Sequence, residues 1–188
     1  ILLVAASAVL LFSIGQRLVS PAAGLVAALL FVVNPSTVFY SITIMSDILF
    51  IFLLVLATYL LFFSPPRPSR GGRIRRSFSE GGYAALAAGT ALGAATLVRP
   101  IAMFLPLVFA AFLVLQERRV LTPKKLMIVI VALFVGYGAI ILPWAVRNRQ
   151  GSGVWSLSSI GSFNFFHYNV PQWLSYRDNV STETVRAS

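Results

Sequence analysis

Asp47 is the one carboxylate inside any apolar stretch of this 188-residue chain. A charged side chain at the centre of a spanning helix costs about 2.5–3.5 kcal/mol on the translocon scale, so an acid there is either used or close to the membrane edge. Such a carboxylate can orient a hydroxyl or take its proton. Its bland alternative is a buried helix-to-helix hydrogen bond. Arg99, Arg147 and Arg149 stand out for a second kind of chemistry, since each ends or follows an apolar run and a guanidinium fork suits bidentate contact with phosphate. Singly, each could instead snorkel to lipid headgroups. Together with Asp47 they would suit a phosphate-bearing lipid substrate.

The approach to Asp47 is patterned. Asn34-Pro35 has the form of an N-cap followed by proline at the first helical position. On a helix begun there, Ser36, Tyr40, Thr43 and Asp47 fall at i, i+4, i+7 and i+11, which is one face. Tyr40 and Thr43 are therefore candidate substrate contacts beside the acid. Counting about 20 residues per span back from Ser64-Pro65 puts the membrane boundary near Ile44 and Asp47 within the first turn below it.

The elements that must hold these residues follow from composition. Hydrophobic residues make up 58% of the chain and charged ones 11%, with a mean hydropathy of +0.86, too little charge to clothe a soluble domain. The fold class is all-α, a polytopic transmembrane helical bundle, and the length allows about six spans. Apolar runs place them at 1–14, 18–33, 43–63, 82–98, 100–116 and 126–145. Ile1 already lies inside an apolar run and the polar stretch from Tyr176 ends without a terminal element, so truncation at both ends is expected. No cysteine is present, which excludes disulfides, thiolate metal sites and thiol redox chemistry.

A net charge of +10 in a soluble chain would suggest nucleic acid, but here the cations sit in short loops between apolar runs and speak of topology. The loop 64–81 carries Arg67, Arg70, Arg73, Arg75 and Arg76, and the loop 117–125 carries Arg118, Arg119, Lys124 and Lys125. Both are expected in the cytoplasm, Arg17 with them, which accounts for ten of the fifteen cations. Asp47, Arg99 and the tail 146–188 then share the external side. That tail holds Trp155, Phe163, Phe165, Phe166, His167, Tyr168, Trp173 and Tyr176, whose faces could stack on sugar or on lipid. His167, the single histidine, is a further substrate-contact candidate. Asn179-Val180-Ser181 matches a glycosylation sequon, which matters only in a eukaryotic secretory setting.

Three segments carry a resemblance to a known family. Asn34-Pro35-x4-Tyr40-Ser41-x5-Asp47, the Gly-rich fourth span ending Leu97-Val98-Arg99-Pro100, and Pro143-Trp144-x2-Arg147-Asn148 resemble the GT-C polyprenyl-phosphate-sugar glycosyltransferases. This group contains the dolichyl-phosphate-mannose protein mannosyltransferases and the bacterial aminoarabinose transferases. Gly15-Gln16-Arg17-Leu18 is similar to that family's short cytoplasmic turn. The resemblance, which spans nearly the whole chain, implies a partial GT-C-like transmembrane domain over 1–188. It also implies sugar transfer from an undecaprenyl or dolichyl phosphate donor to a protein, lipid or glycan acceptor on the external or luminal side. The setting would be a bacterial inner membrane, or the ER membrane in a eukaryote. In such enzymes a carboxylate in the first external loop activates the acceptor and a second acid at the external end of a later span helps organise the site. Asp47 matches the second; the first would precede Ile1. Arg99, Arg147 or Arg149 would then take the donor phosphate and Asp47 the acceptor hydroxyl, with Asn148 a further substrate contact. No cofactor is evident, although Asp47 would suit a divalent metal ion if one were present.

Two other readings compete. A transporter or flippase for a lipid-linked or anionic substrate would want polar residues near mid-membrane in several spans, where this sequence offers Thr58, Thr90 and glycines. A structural subunit would use Asp47 to pair with Arg99.

Overall fold

The computed structural model describes residues 1–42, 46–63, 78–117, 121–153, 155, 157, 165–178, 181 and 183. Every regular element among them is helical. In chain order they are α1 (Leu2–Leu18), α2 (Pro21–Val33), α3 (Pro35–Ile42), α4 (Ser46–Thr58) with a π-helical turn Tyr59–Phe63 at its end, α5 (Phe78–Val98), a 3-10 turn Pro100–Phe104, α6 (Leu105–Glu117), α7 (Pro123–Ser152), a π-helical turn Phe165–Asn169 and α8 (Val170–Asp178). The chain divides into two compact units, Ile1–Trp144 and Ala145–Ser188.

Local chemistry sets the helix ends. Ser20 is extended and its side chain accepts from the Ala23 amide at 3.2 Å, with Pro21 at the first position of α2, so two of the signals that start a helix coincide. Consequently α1 runs on through Gly15, Gln16 and Arg17 to Leu18. The hinge expected at Gly15–Leu18 lies instead at Val19-Ser20, because the Ser-Pro start signal sits there. Gly15 serves packing: a Cβ on it would lie 2.6 Å from the Gly24 Cα of α2. Small residues at such crossings let backbones meet where lipid tails supply no hydrophobic drive.

The same device joins α5 to α7. A Cβ on Gly89 would collide with the Leu133 carbonyl, one on Gly136 with the Leu86 carbonyl, and one on Gly93 would lie 2.8 Å from the Ile140 Cβ. The core around this crossing is Ala57 and Leu61 from the α4 side, Ala85, Ala88, Ala91 and Leu92 of α5, Leu113 of α6, and Leu126, Val129 and Leu133 of α7. Its alanines keep the helices close. Outward, Leu25, Leu29, Leu30, Leu107, Val108, Leu115, Met127, Val131 and Val135 are each more than half exposed, an apolar exterior suited to lipid rather than water.

Among the described residues three helices are long and apolar enough to cross a membrane, Ser46–Phe63, Gly81–Val98 and Pro123–Gly151, and three shorter apolar helices, Leu2–Leu18, Pro21–Val33 and Pro100–Gln116, coincide with the other expected runs. The mid-span hydroxyls are satisfied within their own helices: Thr58 donates to the Leu54 carbonyl at 2.8 Å, Thr90 to Ala87 at 2.8 Å and Thr96 to Leu92 at 2.9 Å. One expectation shifts at the end of α7. Pro143 lies inside that helix, which continues to Ser152, so Arg147, Asn148 and Arg149 stand on helix rather than in an irregular exit. A proline removes one backbone donor and kinks a helix without having to end it.

Candidate active site

The site grows from three helix ends. Asn34 caps α3 through its side-chain oxygen, accepting from the Ser36 amide at 2.9 Å and the Thr37 amide at 3.4 Å, with Pro35 opening the helix. This is the cap expected from Asn34-Pro35. On α3 Ser36 is exposed, Thr37 is buried and Tyr40 is half-buried, its ring meeting that of Phe39 edge-on at 5.7 Å. Thr43 lies outside the described residues, as do the cation-rich residues Arg67 to Arg76, Arg118 and Arg119. Beside α3 an open apolar groove of about 280 Å³ is lined by Ile1, Val4, Ala5, Val32, Thr37 and Val38.

Asp47 falls in the first turn of α4, where the helix's exposed amides favour negative charge. Arg99 follows the last residue of α5. Its amide still donates to the Ala95 carbonyl at 2.8 Å, but its backbone is extended, φ −141° and ψ 112°, as Pro100 requires of the residue before it. Its carbonyl accepts from Ala102 at 3.0 Å, starting the 3-10 turn. Released from the helix, the Arg99 side chain forms an ion pair with Asp47 through Nη2 and Oδ1. The two side chains keep 45% and 20% of their accessible surface, so the protein itself encloses neither. A cation past one helix C-terminus thus meets an anion at another's N-terminus, an arrangement both helix dipoles favour.

The opposite end of α4 holds a contact that topology alone would not have suggested. Arg17, at the end of α1, donates through Nη1 to the Phe63 carbonyl and lies 5.5 Å from the centre of the Tyr59 ring. It satisfies a carbonyl that the helix end leaves open and adds a cation–π contact. An arginine close to a helix terminus was the available signal; its partner, 46 residues away, was not.

In the second unit Arg147 and Arg149 are exposed and Asn148 half-buried on the last turns of α7. Two residues apart on a helix, the arginines point about 200° from one another, so a single phosphate would meet one of them rather than both. His167 is exposed in the turn before α8. On α8 Arg177 grips Asp178 with two hydrogen bonds, 2.6 and 2.8 Å, and covers the Trp173 ring at 5.0 Å. The hydrogen bond from Arg177 holds the Asp178 carboxyl below its ordinary range, and that to Asp178 raises the guanidinium. Among the described residues no three His, Cys, Asp or Glu side chains gather as a metal cage. Asp47 alone falls far short of the oxygen set a hard divalent cation takes.

An all-helical arrangement of the described residues with helices long and apolar enough to cross a membrane fits a GT-C type membrane glycosyltransferase. The family model for dolichyl-phosphate-mannose-protein mannosyltransferase matches residues 1–144, and the chain belongs to that family. No curated protein and no solved structure matches it. The matched region contains Asp47 and Arg99 and stops before Arg147, Asn148, Arg149 and His167.

Proposed function

We propose that this chain forms part of an enzyme that moves a sugar from a polyprenyl phosphate donor to an acceptor hydroxyl on the external or luminal face of its membrane. The observation that supports it most is the juxtaposition of Asp47 and Arg99 at accessible helix ends inside the family-matched region. The acceptor oxygen attacks the anomeric carbon, the bond from that carbon to the phosphate oxygen breaks, and its electron pair leaves with the phosphate. Arg99 stabilises the charge that gathers there. Asp47 orients the acceptor hydroxyl and receives its proton. Tyr40 helps seat the sugar or acceptor. The apolar groove beside α3 suits a lipid chain.

A flippase would need a polar path, whereas Thr58, Thr90 and Thr96 turn their hydroxyls onto their own helices. The test is sugar transfer by the whole enzyme in membranes with Asp47→Asn. A fall of about a hundredfold or more is expected for loss of a positioned base; an unchanged rate would sink the assignment.

A further inference from the structure

The Asp47–Arg99 pair conflicts with the work both residues are given. A guanidinium held by a carboxylate has fewer donors for phosphate, and a carboxylate held by a guanidinium has fewer lone pairs for an acceptor hydroxyl. We infer that the pair is a resting arrangement which the donor phosphate itself undoes: the phosphate takes Arg99, and Asp47 is thereby freed to act on the acceptor.

The reasons lie in exposure and geometry. Neither side chain is enclosed by the protein, at 45% and 20% exposure, so a ligand can approach the pair without the core being opened. The donor's phosphodiester competes for a planar fork because, like a carboxylate, it offers two free oxygens for bidentate contact. Arg99 stands on extended backbone between α5 and the following 3-10 turn, so its side chain is free to change partner without disturbing a helix. Asp47, at the start of α4, stays compensated after Arg99 leaves, since the helix N-terminus continues to favour its charge. No covalent bond changes in this exchange. Its consequence for the reaction is order: donor first, acceptor second, with the base unarmed until a phosphate is in place.

The inference rests on the donor-phosphate reading above, and the experiment separates the two. Binding of a sugar-free, fluorescent short-chain polyprenyl phosphate is measured on the whole enzyme in nanodiscs of zwitterionic lipid. If the pair occupies nine-tenths of the resting population, removing its competing carboxylate tightens apparent binding about tenfold. Asp47→Asn should therefore bind the probe more tightly than wild type, Asp47→Glu should bind like wild type, and Arg99→Gln should bind about tenfold more weakly. In the double variant the tightening should vanish. Unchanged or weaker binding by Asp47→Asn, with Arg99→Gln still weakened, would overturn the exchange and leave Arg99 as the donor contact. Probe affinity indifferent to Arg99→Gln would overturn the donor-phosphate reading and the exchange with it. Monodisperse elution of each variant establishes that it is folded.

Discussion

The two ends of α4 are held by arginines in different ways. At its start Asp47 meets Arg99, charge against charge; at its end the Phe63 carbonyl and the Tyr59 ring meet Arg17, charge against neutral groups. The second contact completes a helix terminus, and any substrate anion that drew Arg17 away would leave a carbonyl unsatisfied. The first completes no backbone group among the described residues, so there an anion replaces the carboxylate at little structural cost. One arginine belongs to the fold and the other is available for exchange.

Exchanging the charges breaks this comparison most sharply. Asp47→Arg combined with Arg99→Asp restores an ion pair but sets each charge against the unfavourable helix end, so thermal stability should fall by about 1–2 kcal/mol while sugar transfer drops a hundredfold or more. Transfer that survived would make the pair purely structural. Next come the backbone crossings, which allow each end to be disturbed from a distance. Gly93→Ala pushes α5, and with it Arg99, against Ile140 of α7, and Gly15→Ala pushes α1, and with it Arg17, against Gly24. Each should cost about 1–3 kcal/mol in thermal unfolding, but only Gly93→Ala should also lower transfer per folded molecule. Equal losses of activity would erase the difference between the ends.

Arg17→Ala should remove about 1 kcal/mol of stability, the size of one hydrogen bond with a cation–π contact, and leave transfer per folded molecule intact. The smallest effect belongs to a reference pair away from both ends. Because Asp178 has its carboxyl depressed in the folded chain, its pairing with Arg177 favours the folded form wherever pH exceeds the ordinary carboxylate range. That contribution drains away as pH falls from there through the depressed value. Trp173, covered by Arg177, should report this as a fluorescence change on acidification that Asp178→Asn abolishes.

Much of the scaffold was legible residue by residue. Asn34-Pro35 declared a cap and Arg99-Pro100 declared a break, because each is a local rule of backbone chemistry, whereas the start of a separate helix at Ser46, with Asp47 in its first turn, was not foreseen on the single helix drawn from Asn34 to Asp47. The start at Ser20-Pro21 was equally local and was overshadowed by the Gly-Gln-Arg run just before it. Pro143-Trp144 misled in the other direction, since an interior proline and an exit proline look alike until the helix beyond is seen to continue. The pairing of Asp47 with Arg99 was named only under the structural-subunit reading, and that it forms is a tertiary matter. Sequence could place Arg99, Arg147 and Arg149 at one expected level, but the pairing depends on α4 and α5 packing side by side, which no spacing encodes.

The crossing of α5 on α7 has a mechanical consequence. With backbone against backbone at Gly89 and Gly136, those two helices behave as one stiff beam, and Arg99 is fixed to its tip. Motion that separates Arg99 from Asp47 by more than a side-chain swing falls to α4, which is pinned at its far end by Arg17. The 18 residues of Ser46–Phe63 make a lever about 27 Å long at 1.5 Å per residue, so a tilt of about 5° about that pin carries Asp47 about 2 Å. A small rotation is enough to open the pair.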